Sequence, residues 1–274
     1  MIKKLLVSLF VFSAVCLFAA GENPEIQSLI EKLGSTNPAE ANSAASSLSQ
    51  LGKPALKALV EALKAPFPTP KWASWALGMM KDEEALDGLA GALKSENEKI
   101  RSFAISAIGE IKGKKAEEIL INYSSDEKSL NREDAVFALA KIKDKECVKN
   151  FRAWLKDSNP KVRGEAAKAI GRLGDTESVN TLVEMIKTES DQDVRVRIIA
   201  TLSSFSDPKA LTAIRGYLQE KDENVKINSI CALEILKDHE ALEALKKLAE
   251  SDPSESVKKA AEKAIKSIDS PSQK

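Results

Sequence analysis

The chain has 274 residues, with 41 basic and 41 acidic side chains and a formal net charge of zero. This balance argues against non-specific nucleic-acid binding, which needs an excess of Lys and Arg to meet the phosphates. Hydrophobic residues make up 43% of the chain and aromatic residues only 5%, a composition typical of a soluble helical protein.

Residues 1–21 have the order of a secretory signal peptide. Lys3 and Lys4 precede an apolar run, Leu5–Ala20, and small residues follow. We expect cleavage after Gly21 and export to the periplasm or out of the cell. The mature chain is then expected to have no membrane span.

Two alternatives remain for this segment. The apolar run could stay as a membrane anchor, although it is shorter than the roughly 20 residues that a spanning helix needs. The protein could instead be a bacterial lipoprotein cut before Cys16, but Val15 is large for a cleavage position. Neither alternative is as well supported by the residues as cleavage after Gly21.

Residues 24–35, PEIQSLIEKLGS, predict a lone amphipathic helix, which we interpret as an N-terminal cap over 22–36. Two short helices with a turn follow, and this pattern recurs about every 31 residues, as expected of a repeat protein.

The repeat is clearest in Ser158–Lys187. Asn159 is a good N-cap residue, and Pro160 suits the first helical position. Gly174 predicts the end of the first helix, and Asp175 predicts the cap of the second.

Three columns of side chains repeat with this period. The anchor column, on the first helix, is Leu48, Leu77, Ile108, Leu139, Ile170, Leu202, Leu233 and Ile265. A second apolar column lies three residues later, and a third lies twelve residues later, on the second helix. Small residues precede most anchors, so neighbouring helices can approach closely. The pattern predicts an all-α, right-handed α-solenoid with seven full repeats and a C-terminal half repeat.

The stretches VRGEAAKAIGRLGDTESVNTLVEMI, IRSFAISAIGEI and VRVRIIATLSSFSDPKALTAI resemble HEAT repeats. They are most similar to the short HEAT-like type found in bilin lyases and in many bacterial scaffold proteins. The resemblance covers nearly all of the expected mature chain and implies one elongated solenoid over 22–269. Such repeats mostly form interaction surfaces and only occasionally enzymes.

Two places depart from the repeat. Three prolines in Pro66–Pro70 predict an extended turn before the second repeat. Near the C-terminus, Glu262 occupies a column that is apolar in earlier repeats, so we interpret residues 253–269 as a C-terminal capping helix. Residues 270–274 are expected to form a short disordered tail.

Two charged ladders follow the repeat. The basic ladder contains Arg101, Arg132, Arg163 and Arg195, followed by Lys226 and Lys258. The acidic ladder lies at the turns and contains Asp82, Asp144, Asp175, Asp207 and Asp238. The basic row could bind a polyanion. We favour a structural role, in which the aspartates cap second helices and the arginines bridge to them or to loop carbonyls.

Aromatic residues give the best lead to a binding site. Positions two and five before the anchor should face outward, and there the chain carries Trp72, Trp75, Phe103 and Phe137. Exposed apolar patches often mark partner sites. The alternative is that the Pro66–Pro70 loop or the N-terminal cap covers them as a satellite core.

The second helices are expected to line the concave side of the solenoid. Their inward column is small, polar and mixed in sign, and it contains Ala58, Asp87, Glu118, Lys149, Asn180, Thr212 and Glu243. Such a surface could receive a peptide without selecting one charge.

The sequence has few residues that could serve as metal ligands or catalytic groups. Cys147 and Cys231 lie too far apart in the repeat for a disulfide, and we expect both to be small buried hydrophobes. The single histidine, His239, cannot build a metal site of several His-Glu pairs. Motifs for phosphate or dinucleotide binding, and for a nucleophile elbow, are missing. We therefore expect no metal, no cofactor and no enzyme activity.

These observations predict an exported, monomeric scaffold that binds a protein or peptide in the cell envelope. The alternative is an enzyme or chaperone-like lyase subunit of the bilin-lyase type, which the resemblance implies and the export signal disfavours.

Overall fold

The computed structural model describes residues 23–270, which form α-helices, short 3₁₀ turns and loops without a strand. The expected signal peptide, its cleavage site and Cys16 lie outside the described residues, as does all of the expected tail beyond residue 270. Within the described part, seven helix pairs and a final single helix follow α1, so the all-α repeat prediction is confirmed.

The chain divides into two compact units, which meet within a helix at residues 116 and 117. The helices of the first unit are α1 (Pro24–Lys32), α2 (Pro38–Leu51), α3 (Lys53–Ala62), α4 (Thr69–Met80), α5 (Leu86–Ala92) and α6 (Glu98–Ile111).

The boundary falls in the next helix, and the second unit contains the rest of the chain. Its helices are α7 (Lys114–Ser125, shared with the first unit), α8 (Arg132–Ile142), α9 (Val148–Trp154), α10 (Pro160–Leu173), α11 (Val179–Thr188), α12 (Gln192–Leu202), α13 (Pro208–Gly216), α14 (Glu223–Ile235), α15 (Leu242–Ser251) and α16 (Glu255–Asp269).

Side-chain caps start the first helix of most repeats. Asn37, Asn97 and Asn159 accept hydrogen bonds from backbone N–H groups two residues on, at 2.9–3.0 Å. Asp191 and Asp222 accept from the N–H three residues on, at 3.0 and 2.9 Å. Each cap satisfies a donor that the helix leaves unpaired.

The anchor column forms the core of both units. Its residues from Leu48 to Leu233 are at most 1% exposed, and only the last, Ile265, is half-buried. Within the first unit, α2, α4 and α6 pack side by side, and in the second α8, α10, α12, α14 and α16 do the same. Each hairpin thus hides its apolar stripe against its neighbours in the same unit.

Gly78 brings α4 and α6 unusually close together. A Cβ atom built on Gly78 would lie 3.2 Å from the Cα of Ala107, tighter than ordinary van der Waals packing. The missing side chain therefore allows the backbones of α4 and α6 to approach, and this approach sets the spacing of the side chains on their outer faces.

The first helices often end in a left-handed residue. Gly174 has φ 66°, as the sequence predicts, and its C-capping N–H donates to the last turn of α10. At equivalent positions, Lys81, Lys143 and Lys237 adopt the same region with φ of 52–64°. These lysines are in a conformation that costs a side-chain-bearing residue free energy.

The end of the second unit has the predicted polar face. Glu262 is exposed on α16, whereas Ile199 and Ile230, at the same column position in earlier repeats, are fully buried. In the described part of the chain, no helix is long and apolar enough to cross a membrane.

Candidate interaction surface

The outer face of the first unit carries a row of apolar side chains. Phe67, Trp75 and Met79 are exposed, with fractions of 41%, 38% and 56%. Trp72 and Phe103 are half-buried. We call these five residues the aromatic band.

Helical spacing explains most of the band. Trp72, Trp75 and Met79 are three and four residues apart on α4, so they share one stripe. The opposite stripe of α4 is buried in the core and contains Ala73 and Leu77.

Two lysines connect the rings of the band. The Nζ of Lys71 lies 4.2 Å from the ring centroid of Trp72 and 5.6 Å from that of Phe103. The Nζ of Lys99 lies 5.5 Å from the centroid of Phe67. These are cation–π distances, and they place a positive charge beside three of the rings of the band.

The aromatic candidates differ in exposure. Trp75 is exposed, as is Phe67 in the loop before α4, whereas Trp72 and Phe103 are half-buried. The partial burial of Trp72 comes with its contact to Lys71. Phe67, Met79 and the two lysines were not among the sequence candidates, although helical spacing from Trp75 could have identified Met79.

Phe137 belongs to the second unit and forms a separate feature. It is 39% exposed, and its ring centroid lies 4.9 Å from the Cζ of Arg172 and 6.0 Å from the Nζ of Lys168. Here too an outward ring is bordered by cations.

The basic ladder makes structural contacts. Arg101 donates to the backbone oxygens of Ser95 and Glu96 at 2.8 and 2.9 Å. Arg163 likewise donates to the backbone oxygens of Asp157 and Ser158. The expected bonds to loop carbonyls are therefore present at these two residues.

The carboxylate partners of the ladder differ from those expected. They lie in the loop after the second helix of the same repeat, not at the turn between the helices. The pairs are Arg132–Asp157 (2.5 Å), Arg163–Glu189 (2.7 Å), Arg195–Glu220 and Lys226–Asp252 (2.5 Å). The start of each first helix lies beside the loop that ends its repeat. Each pair therefore connects the beginning of a repeat to its end.

The turn aspartates divide into two groups. Asp144 and Asp207 cap the turn through N–H groups two residues on, at 2.8 and 2.7 Å. Asp175 and Asp238 pair with arginines of the preceding second helix, in Arg152–Asp175 (2.5 Å) and Arg215–Asp238 (2.6 Å). Asp238 also accepts a hydrogen bond from the N–H of Glu240 at 3.3 Å. Asp175 therefore does not cap α11 by a backbone bond, and a 3₁₀ turn, Thr176–Ser178, precedes that helix.

These pairs shift the titration of their carboxyls. The hydrogen bond from Arg152 lowers the pKa of Asp175, in spite of its burial. Burial raises the pKa of Glu189, but hydrogen bonds from Arg163 and from backbone N–H groups outweigh it and lower the pKa overall. The charged form of each carboxyl is therefore stabilised by the fold.

The second unit contains an open polar groove of about 410 Å³. Lys149 and Arg152 line one side, and Asp175 and Glu177 line the other. Arg152 crosses the groove to both carboxylates, at 2.5 and 2.8 Å. Ion pairs across the groove thus connect two neighbouring repeats.

The inward column of the second helices is exposed from Asp87 to Glu243, but Ala58 is buried. The reason is that α1 packs against α3, so the N-terminal helix covers the position that is open in later repeats.

The expectation that both cysteines are buried is wrong for one of them. Cys147 is buried, and Cys231 is exposed. Cys231 lies two residues before the anchor Leu233, on the outward stripe of α14 that corresponds to Trp75 in α4. His239 is exposed at the start of the 3₁₀ turn His239–Ala241. Among residues 23–270, no group of three or more His, Cys, Asp or Glu side chains is placed to hold a metal ion.

The chain matches the family model for HEAT repeats over residues 68–133, 117–203 and 179–266, together more than half of its length. No curated protein matches the sequence. Among solved structures, the X-ray structure of YibA from Escherichia coli has a TM-score of 0.56 and 21% identity, over 89% of this chain and 92% of that chain.

Two enzymes also have similar structures. Human deoxyhypusine hydroxylase has a TM-score of 0.40 and 21% identity, over 89% of this chain and 96% of that chain. The CpcE–CpcF complex of phycocyanin lyase from a Nostoc species has a TM-score of 0.40 and 20% identity, over 92% of this chain and 98% of that chain. At these identities the likeness concerns the fold alone.

Proposed function

Since this chain belongs to the HEAT-repeat family, we propose that it is a non-catalytic scaffold that binds a protein or peptide through its aromatic band. Trp and Tyr side chains are enriched at binding hot spots because they bury a large area with few rotatable bonds. The exposure of Trp75, Phe67 and Met79 in the same unit is the observation that carries this proposal.

The fold supports binding in a second way. Because α4 and α6 are held by a buried core, the band keeps its shape before a partner arrives. Little conformational entropy of the scaffold is then lost on binding. The partner gains its affinity from a preorganised surface.

The N-terminal segment supports a proposal for the location of the partner. The signal-peptide pattern of residues 1–21 leads us to propose export and a partner in the cell envelope. N-terminal sequencing and intact mass of the protein purified from its native envelope test this point. A start at Glu22 is expected, and an acylated Cys16 or an uncleaved chain would contradict it.

Binding through the band is tested with Trp75→Ala and Met79→Ala. These side chains are exposed, so their truncation removes contact area with little effect on the core. At a hot spot, Trp75→Ala should cost on the order of 2 kcal/mol, or about 30-fold in Kd. The matched control is Ile235→Ala, because Ile235 is 70% exposed on the second unit.

The measurement is capture of partners from an envelope extract by wild type and variants, with melting temperatures in parallel. Loss of the captured protein in Trp75→Ala, but not in Ile235→Ala, supports the proposal. Equal capture by all three would show that the band is not the binding surface. A large fall in melting temperature for Trp75→Ala would show that the ring serves stability instead.

A further inference from the structure

We propose that the aromatic band selects acidic, apolar peptide segments, whose carboxylates meet Lys71 and Lys99 while apolar side chains cover Trp75 and Met79. This inference rests on the proposed function and adds the chemical class of the partner. Its basis is the surroundings of the two lysines.

Lys71 and Lys99 differ from three other lysines of the first unit. Lys53, Lys64 and Lys115 each pair with a carboxylate at 2.7–2.9 Å. Within the described part of the chain, Lys71 and Lys99 have aromatic rings beside them and no carboxylate partner. Their positive charges are therefore available to a ligand.

The rings hold these charges in place. Lys71 lies between Trp72 and Phe103, at 4.2 and 5.6 Å from their centroids. An exposed ion pair is usually weak, partly because two long side chains must be ordered to form it. A lysine already positioned by rings has lost part of that freedom, and a bound apolar segment would also exclude water from the pair.

Several neighbouring positions carry no negative charge that could compensate Lys71 and Lys99. Ser43 and Ser46 on α2 correspond in the repeat to Trp72 and Trp75, and both are uncharged. Ser106, one turn beyond Phe103 on α6, is exposed and also uncharged. The acidic residues of α6 that border this face, Glu98 and Glu110, each already interact with another group. Charge complementarity thus favours an anionic partner.

The size of the charge cluster favours a peptide over a membrane. Recognition of an anionic lipid surface typically uses clusters of about four to eight Lys and Arg residues. Two cations, Lys71 and Lys99, contact rings of the band. This alternation suits a chain in which acidic and apolar side chains follow one another.

The test is a random-peptide display selection against the full exported chain. Wild type is compared with Lys71→Gln/Lys99→Gln and with Trp75→Ala/Met79→Ala. The charge control is Lys57→Gln/Lys94→Gln, which removes two exposed lysines of the same unit outside the band. A synthetic peptide with the enriched sequence, and its Glu→Gln and Asp→Asn analogue, are then titrated by fluorescence anisotropy.

Wild type is expected to enrich peptides that combine Asp or Glu with Trp, Phe, Leu or Met. The synthetic peptide should bind about tenfold more weakly to Lys71→Gln/Lys99→Gln, and its amide analogue should lose a similar factor on wild type. The control Lys57→Gln/Lys94→Gln should bind within about twofold of wild type. Binding should also weaken as salt is raised.

The outcomes separate this inference from the proposed function. Enriched peptides without acidic residues, bound equally by the Lys71→Gln/Lys99→Gln variant but not by Trp75→Ala/Met79→Ala, would overturn only the acidic class. No enrichment by wild type would overturn both. Tighter binding to vesicles of anionic phosphatidylglycerol than to any selected peptide would replace the peptide by a membrane surface.

Discussion

At the scale of single residues, the residue that ends the first helix has a left-handed backbone conformation in several repeats. This conformation is unfavourable for a residue that carries a side chain. Gly174 ends α10 in the left-handed region, with φ 66°, and Lys143 ends α8 in the same region, with φ 64°. The two residues occupy the same place in adjacent repeats. Glycine adopts this conformation without a steric penalty, whereas lysine does not.

Exchanging these residue types should change stability in opposite directions. Lys143→Gly should raise the free energy of unfolding by about 0.5–1 kcal/mol, and Gly174→Ala should lower it by a similar amount. A Cβ atom at Gly174 would contact nothing within 4 Å, and Lys143 is exposed, so both changes leave the core packing intact. Urea denaturation measures both, and a loss of stability in Lys143→Gly would contradict the backbone explanation.

At the scale of helices and hairpins, buried ion pairs connect helices and loops that already pack together through their apolar side chains. Arg163 and Glu189 lie at the two ends of one repeat, with side chains only 16% and 4% exposed. Removal of one partner from such a pair is costly, since the other charge stays buried. Four members of the basic ladder therefore each connect the beginning and the end of one repeat in the second unit. They are Arg132, Arg163, Arg195 and Lys226.

The lowered pKa of Glu189 predicts acid sensitivity with a definite sign. Below its ordinary pKa of 4.5, the unfolded chain binds a proton that the folded carboxylate resists, so stability falls as pH decreases. At pH 7, Glu189→Gln should be less stable than wild type by about 1.5–3 kcal/mol. This difference should shrink as the pH falls through the folded pKa and the wild-type carboxyl is protonated too.

Thermal unfolding of both proteins between pH 7 and pH 2.5 makes this comparison. Glu61→Gln is the control, because the Lys64–Glu61 pair is exposed and should contribute at most about 1 kcal/mol. A stability difference between wild type and Glu189→Gln that stays constant with pH would rule out the ionised pair as its cause.

At the scale of the whole molecule, a repeat protein is held by contacts between neighbours. In the second unit, α14 packs against α12 and α16, its immediate neighbours among the first helices. Stability in such a chain is approximately a sum of local terms, so a defect in one repeat should remain near that repeat.

Leu233→Ala tests this locality, because Leu233 is fully buried in α14. The truncation should cost about 2–5 kcal/mol in that region. Amide hydrogen exchange should accelerate in α14, α15 and α16 and stay unchanged in α2 and α4. Uniform acceleration along the chain would show that the protein unfolds as one cooperative block instead.

The amino-acid sequence by itself determined the repeat, because period, caps and apolar columns are local properties that each hairpin carries. Helical spacing also placed Trp75 off the core, where it is exposed. Tertiary structure decided which groups meet across elements. Only packing brought Lys71 beside Phe103 and Glu189 beside Arg163, left Cys231 exposed and covered Ala58 with α1. These contacts join residues of different secondary-structure elements. Their distances depend on how closely those elements pack, and the sequence of a single helix does not determine that packing.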